Sequence, residues 1–519
     1  MTLSSGADCS LRGGFHRSVA AHPTEQALFV DERGYSYAEL DELVRRWCTQ
    51  MIRRLGSPPK RLGVFGSRSL TSYAGALAAA YLGAIYVPLN PRFPTSRTRA
   101  MVRHADLDAI IVDKLGSAKL PEVLSGLDSP PAIFFPDALV PSSPDSNAPL
   151  ASLPTVAMDS VAYLLFTSGS TGSPKGVPIL HSNVRAYIDW AVARYEINSS
   201  DRFSQTFEQT FDLSMFDLFV AWESGACVYA MSPVELLAPV KYINRHGLTV
   251  WFSVPSVPAQ MQRRNTLRPA TLPSLRWSLF CGEALPAISA AAWQCAAPKS
   301  IVENLYGPTE LTISCTVYRW DDASSPEQCV NGNVPIGTPH PGLHALLVDE
   351  SLRPVGAGET GELCISGAQT SPAYWNDAER TAERFVSIGD GTERRLFYRT
   401  GDRARYQPTG DLVCLGRTDH QVKVLGFRVE LGEIEAVLRE VAGVFEVVAI
   451  PWPIQEGAAQ GLVAFVSQID FNETRLKQAC RVALPDYMIP SRFVPMVDMP
   501  LNSNGKVDRG ALPALLAST

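Results

Sequence analysis

The sequence is short of charge. Only 19% of its 519 residues are Asp, Glu, Lys or Arg. Lys and Arg number 46 against 52 Asp and Glu, a net charge of -6. With no basic run either, the electrostatic footprint of a nucleic-acid binder is missing. The ten cysteines are scattered, with no Cys-x-x-Cys pair and no His at zinc spacing. That excludes a disulfide scaffold and a zinc centre and fits reduced thiols in a cytoplasmic protein. Residues 1–14 lack the apolar core of a signal peptide. Internal repeats and low-complexity tracts are absent too. Residues 70–89 carry no charge, yet they are rich in Ala, broken by Gly75, Gly83 and Pro88, and end on β-branched and aromatic residues. They read as a buried helix running into a buried strand, and no membrane association is expected.

What is present is apolar surface: 46% of the residues are hydrophobic, enough for more than one core. Short apolar runs at 61–65, 109–112 and 161–166 read as buried strands. Helix-period stretches such as 37–54 separate them, which predicts an α/β protein with largely parallel sheets. Residues 128–154, rich in Pro, Ser and Asp, read as a long surface connection. Near Gly416 the pattern changes. Residues 402–415 look like a hairpin turning at Pro408-Thr-Gly-Asp411, 430–441 an amphipathic helix, and 444–451 and 462–468 strands. A compact C-terminal unit of about one hundred residues is expected there.

The segment Phe166-Thr-Ser-Gly-Ser-Thr-Gly-Ser-Pro-Lys-Gly176 follows an apolar strand. Hydroxyls, glycines and one lysine this dense suit a polyphosphate, since glycine lets the backbone N–H groups approach closely. It is not a Walker A loop: the Gly–Lys spacing differs, and Gly176 stands where Ser or Thr belongs. The loop resembles the signature of the adenylate-forming enzymes, which include acyl-CoA synthetases, luciferases and the adenylation domains of nonribosomal peptide synthetases. Further motifs of that family follow in order: Tyr35-Ser-Tyr-Ala-Glu-Leu40, Leu82-Gly-Ala-Ile-Tyr-Val-Pro-Leu-Asn90, Asn304-Leu-Tyr-Gly-Pro-Thr-Glu310, Gly361-Glu-Leu-Cys-Ile-Ser-Gly367, Tyr398-Arg-Thr-Gly-Asp402, Gly416-Arg-Thr-Asp-His-Gln-Val-Lys423 and Asn502-Ser-Asn-Gly-Lys-Val-Asp508. Together they cover essentially the whole chain.

The resemblance implies an α/β fold in two parts. Residues 1–418 would form an N-terminal core of parallel and mixed sheets with a β-barrel-like subdomain. Residues 419–519 would form a small, mobile α+β domain hinged at Asp419. It implies an ATP-dependent, AMP-forming ligase of natural-product type that uses ATP and Mg2+. A carboxylate attacks the α-phosphate of ATP, and a thiol then attacks the acyl-adenylate. By the same resemblance Thr167, Ser168, Gly169, Thr171 and Lys175 hold the phosphates, with Gly282 and Glu283 also at the nucleotide. Glu310 is the magnesium ligand, with Thr309 beside it on the α-phosphate. Asn304 and Tyr306 take adenine, and Asp402 and Arg417 the ribose. Lys506 bridges the substrate carboxylate and the α-phosphate. Leu425 departs from the Arg that many members carry before the Gly426 position.

Asp212, in Phe211-Asp-Leu-Ser-Met-Phe-Asp217, matches the aspartate that pairs with the α-ammonium in amino-acid-activating members. A cation entering an apolar pocket needs such a counter-charge; the competing reading is a helix N-cap. The remaining pocket positions carried over are Phe211, Leu213, Phe216, Phe252, Leu279, Cys281, Leu305, Ile313 and Ser314. All are uncharged and several bulky, which suits alanine, with glycine or serine behind it. Cys281-Gly-Glu283 is also similar to the D-alanine–carrier protein ligases. No phosphopantetheine site and no condensation motif occurs in the sequence, so the expected acceptor is a separate carrier protein, and the enzyme a monomer. Two alternatives stand beside this reading: an acyl- or aryl-CoA ligase, and a non-catalytic binding protein on the same scaffold.

Overall fold

The computed structural model describes residues 8–136, 153–168, 174–389, 394–419, 421–442, 446–455, 458–467, 472–501 and 507–517. Gly169, Thr171 and Lys506 lie outside the described residues.

Two large sheets carry the core. One has six strands in the order Ala132–Phe134, Ala109–Val112, Arg61–Phe65, Ile85–Leu89, Val161–Thr167 and Lys175–Leu180. The described pairings are parallel except for the last. The other has nine strands, parallel in its middle and closed by antiparallel strands at both ends. A single buried cluster joins the two sheets and the helices between them, among them Tyr37–Leu55 and Leu70–Leu82. The first of these helices starts at a capping box between Ser36 and Glu39. The second is buried almost all round and ends at Gly83 in the left-handed region, before the strand Ile85–Leu89. Residues 70–89 therefore run inside the protein. Among the described residues no helix is long and apolar enough to cross a membrane.

A five-stranded antiparallel sheet of His344–Val348, Gly361–Ser366, Arg395–Tyr406, Phe385–Ile388 and Leu412–Arg417 follows. It is an open half-barrel, not a closed barrel. From Gln421 onward the chain builds its own sheets and cores. The hairpin of Gln421–Val424 and Phe427–Glu430 leads into the helix Leu431–Ala442. The strands Val447–Pro451, Leu462–Val466 and Arg492–Pro495 form a sheet between two apolar layers.

Two expectations need correction. The connection at 128–154 contains a strand, Ala132–Phe134, which pairs in parallel with Ala109–Val112. It is three residues long and sits at the sheet edge, too short to show a period. The C-terminal strands are also shorter than expected, described over Val447–Pro451 and Leu462–Val466.

Candidate active site

The site lies where the ends of the parallel strands meet the half-barrel and the C-terminal hairpin. At its centre is Glu310, fully buried on the short turn Thr309–Leu311 that follows the strand Ile301–Tyr306. Three groups converge on its carboxylate. The Lys175 ammonium is 3.2 Å away, the Arg428 guanidinium 2.9 Å, and the Tyr374 hydroxyl donates at 2.7 Å. Burial alone would raise the Glu310 carboxyl, but the Arg428 and Lys175 cations outweigh it and hold it well below the carboxylate range. Burial and the neighbouring Arg428 pull the Lys175 ammonium down to about 8. Beside Lys175, the Ser168 hydroxyl donates to the Arg428 carbonyl at 2.7 Å, and the Thr167 hydroxyl is buried without a partner. Both Glu310 oxygens are thus engaged, so the residues do not fit a magnesium ion in this arrangement. No cluster of three His, Cys, Asp or Glu side chains able to hold a metal occurs among the described residues.

A cavity of about 420 Å³ opens beside this centre, lined by Asn304, Tyr306, Asp402 and Arg417 from the core and closed by Ile454 and Ala459 of the C-terminal strands. Asn304 donates its amide N–H to the carbonyls of Val334 and Pro335 and keeps a buried Oδ1 with no partner. Asp402 accepts from the Tyr306 hydroxyl at 2.6 Å and from Arg417 at 2.9 Å. Arg417 also holds Asp419, at 2.6 and 2.8 Å. Burial would raise Asp419, but Arg417 outweighs it and brings the carboxyl down to about 2. Gly282, Glu283 and Leu305 line this larger cavity too.

A second cavity of about 70 Å³ adjoins it, lined by Phe211, Asp212, Leu213, Cys281, Tyr306 and Thr309 among others. Asp212 precedes the short helix Leu213–Met215 but makes no capping bond, which removes the N-cap reading. One carboxylate oxygen, Oδ2, is buried with no partner. Burial raises its carboxyl to about 6, against the Thr309 hydroxyl and the N–H groups of Leu213 and Ile313, which favour the anion. Burial likewise pushes the Cys281 thiol up to about 12, so it is an inert small side chain. Phe216, Phe252, Leu279, Ile313 and Ser314 do not line this cavity; all are buried. Phe216 and Phe252 pack edge to face at 5.0 Å in the core beyond it.

The backbone here is strained. Thr312 and Ile313 both have positive φ, 58° and 72°. For β-branched residues this costs on the order of 1–3 kcal/mol each, and such strain persists only where surrounding structure imposes it.

Sequence reasoning missed three participants. Arg428 stands two residues after Gly426, and only its tertiary contact with Glu310 reveals it. Lys423, within the quoted motif, has its ammonium 5.9 Å from the Tyr306 ring centre. Gln369 lies outside every quoted motif. Glu283, expected at the nucleotide, accepts from the Gly426 N–H at 2.5 Å and the Ser256 N–H at 2.9 Å. Its carboxylate therefore anchors the C-terminal loop.

The chain matches the family model of AMP-binding enzymes over residues 15–375 and that of the AMP-binding enzyme C-terminal domain over residues 433–506. It is 32% identical to a dimodular nonribosomal peptide synthase of Bacillus subtilis across 97% of its own length and 21% of that protein. It is 32% identical to the phosphinothricin tripeptide synthetase PhsC of Streptomyces viridochromogenes across 98% of its length and 45% of that protein. The chain thus spans less than half of these curated relatives. Among solved structures, the Vibrio cholerae adenylation domain AlmE, in complex with glycyl-adenosine-5'-phosphate, superposes with a TM-score of 0.87 at 32% identity, with full coverage of both chains. The protein PA1221, which contains adenylation and PCP domains, superposes with a TM-score of 0.81 at 25% identity over 98% of this chain and 84% of that one.

Proposed function

Because the chain belongs to the AMP-binding enzyme family, and so is an ATP-dependent, AMP-forming ligase, we propose that it activates a small uncharged amino acid, alanine or glycine, and passes it to the phosphopantetheine thiol of a carrier protein. The observation that carries this reading is Asp212: a buried carboxylate with an unpartnered oxygen beside a cavity of only about 70 Å³. A desolvated anion there needs a cation, and an α-ammonium supplies one. The cavity has no room for a long side chain, and AlmE, similar along its whole length, carries a glycyl adenylate.

In the first step a carboxylate oxygen of the amino acid attacks the α-phosphorus, and the bond to pyrophosphate breaks. Asp212 holds the ammonium so that the carboxylate faces the nucleotide. The free Oδ1 of Asn304 accepts from the adenine amine, Asp402 and Arg417 take the ribose, and Thr167, Ser168 and Lys175 the phosphates, with Gly169 and Thr171 completing that loop. Thr309 lies beside the α-phosphate, and Lys506 bridges it to the carboxylate. In the second step the thiol sulfur attacks the acyl carbon, the bond to AMP breaks, and the thiol proton goes to solvent.

The second step needs another face of the C-terminal domain, and the arrangement described here is the one that suits it. The Gly426 loop is docked on Glu283 and Arg428 on Glu310. Val507, the residue after Lys506, packs in the apolar layer with Val448, Ile450 and Phe465, not in the layer that contains Val429 of the hairpin. We therefore take 1–418 and 419–519 as the two moving bodies and Asp419 as the hinge between them.

ATP–pyrophosphate exchange against a panel of amino acids, with fatty and aryl acids alongside, tests this reading. Exchange is expected with alanine or glycine. Exchange only with acids that lack an ammonium group would overturn it in favour of an acyl- or aryl-CoA ligase.

A further inference from the structure

The strained turn beside Asp212 is held from one side. The Gln369 amide nitrogen lies 3.2, 3.2 and 2.7 Å from the carbonyl oxygens of Leu311, Thr312 and Ser314. The Thr312 hydroxyl donates back to the Gln369 carbonyl at 2.6 Å, and the Ser371 N–H donates to the Glu310 carbonyl at 2.8 Å. Gln369 is itself fixed. Its Oε1 is 3.2 Å from Nδ1 of His340, a ring that burial keeps neutral and that stacks on Trp190 at 3.5 Å. With Gln369 Oε1 as acceptor, the His340 proton belongs on Nδ1. On its other side the turn packs against Gly307, which lines the cavity with Asp212: a Cβ on Gly307 would stand 2.6 Å from Cα of Ser314 and 3.1 Å from the Ile313 carbonyl oxygen.

We infer that Gln369 is a positioning residue that sets amino-acid affinity and size selectivity by holding the Thr312–Ser314 backbone against Gly307, in the wall of the Asp212 cavity. It touches no reacting atom and acts through the turn. The turn is in a conformation its β-branched residues disfavour, so without the amide donors it relaxes and no longer backs Gly307. The Gly307 wall of the cavity then shifts and the amino acid is held less closely beside Asp212, while the adenine and ribose contacts of Asn304 and Asp402 are untouched. The inference rests on the reading of Asp212 as the ammonium ligand.

The test compares the full-length wild type with Gln369→Ala, Gln369→Glu and Asp212→Ala in pyrophosphate exchange with alanine, glycine and valine. Both Gln369 variants are expected to raise the KM for the preferred small amino acid about tenfold, to leave the KM for ATP within about twofold, and to narrow the preference over valine. Gln369→Glu keeps the volume but not the NH2 donors, so it carries the test if Gln369→Ala does not fold. An unchanged amino-acid KM in a folded variant overturns the inference. So does a parallel loss in both KM values with a lower Tm, which is what a mere structural prop would give. If Asp212→Ala keeps full exchange with alanine or glycine, the ammonium reading itself falls; loss in that variant with an unchanged Gln369→Glu overturns only the role of Gln369.

Discussion

Asp212 shows how much one carboxyl can depend on its surroundings. Burial lifts it to about 6, above the usual carboxylate range. The proposed ammonium contact needs the anion, so amino-acid binding is expected to be complete above that value and to be lost as the pH falls through it. For the free enzyme, kcat/KM for the amino acid should drop about tenfold per pH unit below about 6, while the KM for ATP stays flatter. Asp212→Asn should remove this limb of the profile and lower kcat/KM at neutral pH by two orders of magnitude or more, roughly the worth of a buried charge-assisted bond. A wild-type profile that stays level down to pH 5 would count against the assignment. Asp212 was legible in the sequence because its motif carries it. Gln369 was not: its chemistry comes from three backbone carbonyls that only the folded turn gathers, and nothing around it in sequence marks it.

At the scale of elements, the proposed second step turns on the hairpin of Gln421–Val424 and Phe427–Glu430, whose loop is docked on Glu283. Its turn is tight. Leu425 and Gly426 both have positive φ, and a Cβ on Gly426 would stand 2.4 Å from Cγ1 of Val254. Leu425, the departure noted in the sequence, is therefore a left-handed residue that costs conformational energy, on the order of 1 kcal/mol, in the docked loop. Gly426→Ala should cut thioester formation at least about tenfold more than pyrophosphate exchange, because the clash exists only when the loop is docked on Glu283. Single-turnover transfer from preformed adenylate to a carrier or a pantetheine thiol would measure it. The elements themselves were largely readable. The helix Tyr37–Leu55, the strand Arg61–Phe65 and the helix Leu431–Ala442 follow the periodicity of their residues. The strand Ala132–Phe134 was not, because a three-residue edge strand in a Pro- and Ser-rich stretch gives no period to read.

For the whole molecule, what sequence could not supply is how the C-terminal part sits on the core. Buried ion pairs fasten it. Arg97, on the helix Thr95–Ala105, meets Glu433 at 2.5 Å, and Arg428 meets Glu310. Phe427 and Tyr487, stacked on each other within the C-terminal part, pack edge-on against Phe211 at 4.8 Å and Phe93 at 6.5 Å of the core. Glu310 keeps Lys175 and Tyr374 if Arg428 is removed, so Arg428→Ala should weaken docking by about 1–3 kcal/mol and not strand the carboxylate. The expected result is a larger radius of gyration in solution scattering and a slower thiol-transfer step. An unchanged scattering profile would mean that the Arg97 pair and the Phe427–Phe211 and Tyr487–Phe93 contacts suffice.

The first strand of the large sheet also bears on how the protein is made. Leu28 pairs in parallel with Val228, and the strand's other neighbour, Arg33–Ser36, is a short antiparallel edge. As the chain leaves the ribosome, this strand waits for roughly 200 more residues before its inner partner exists. At about 5–20 residues per second that is on the order of 10–40 s with an apolar edge uncovered. This pairing therefore cannot form until Val228 has been made, and until then Leu28 lacks its parallel neighbour.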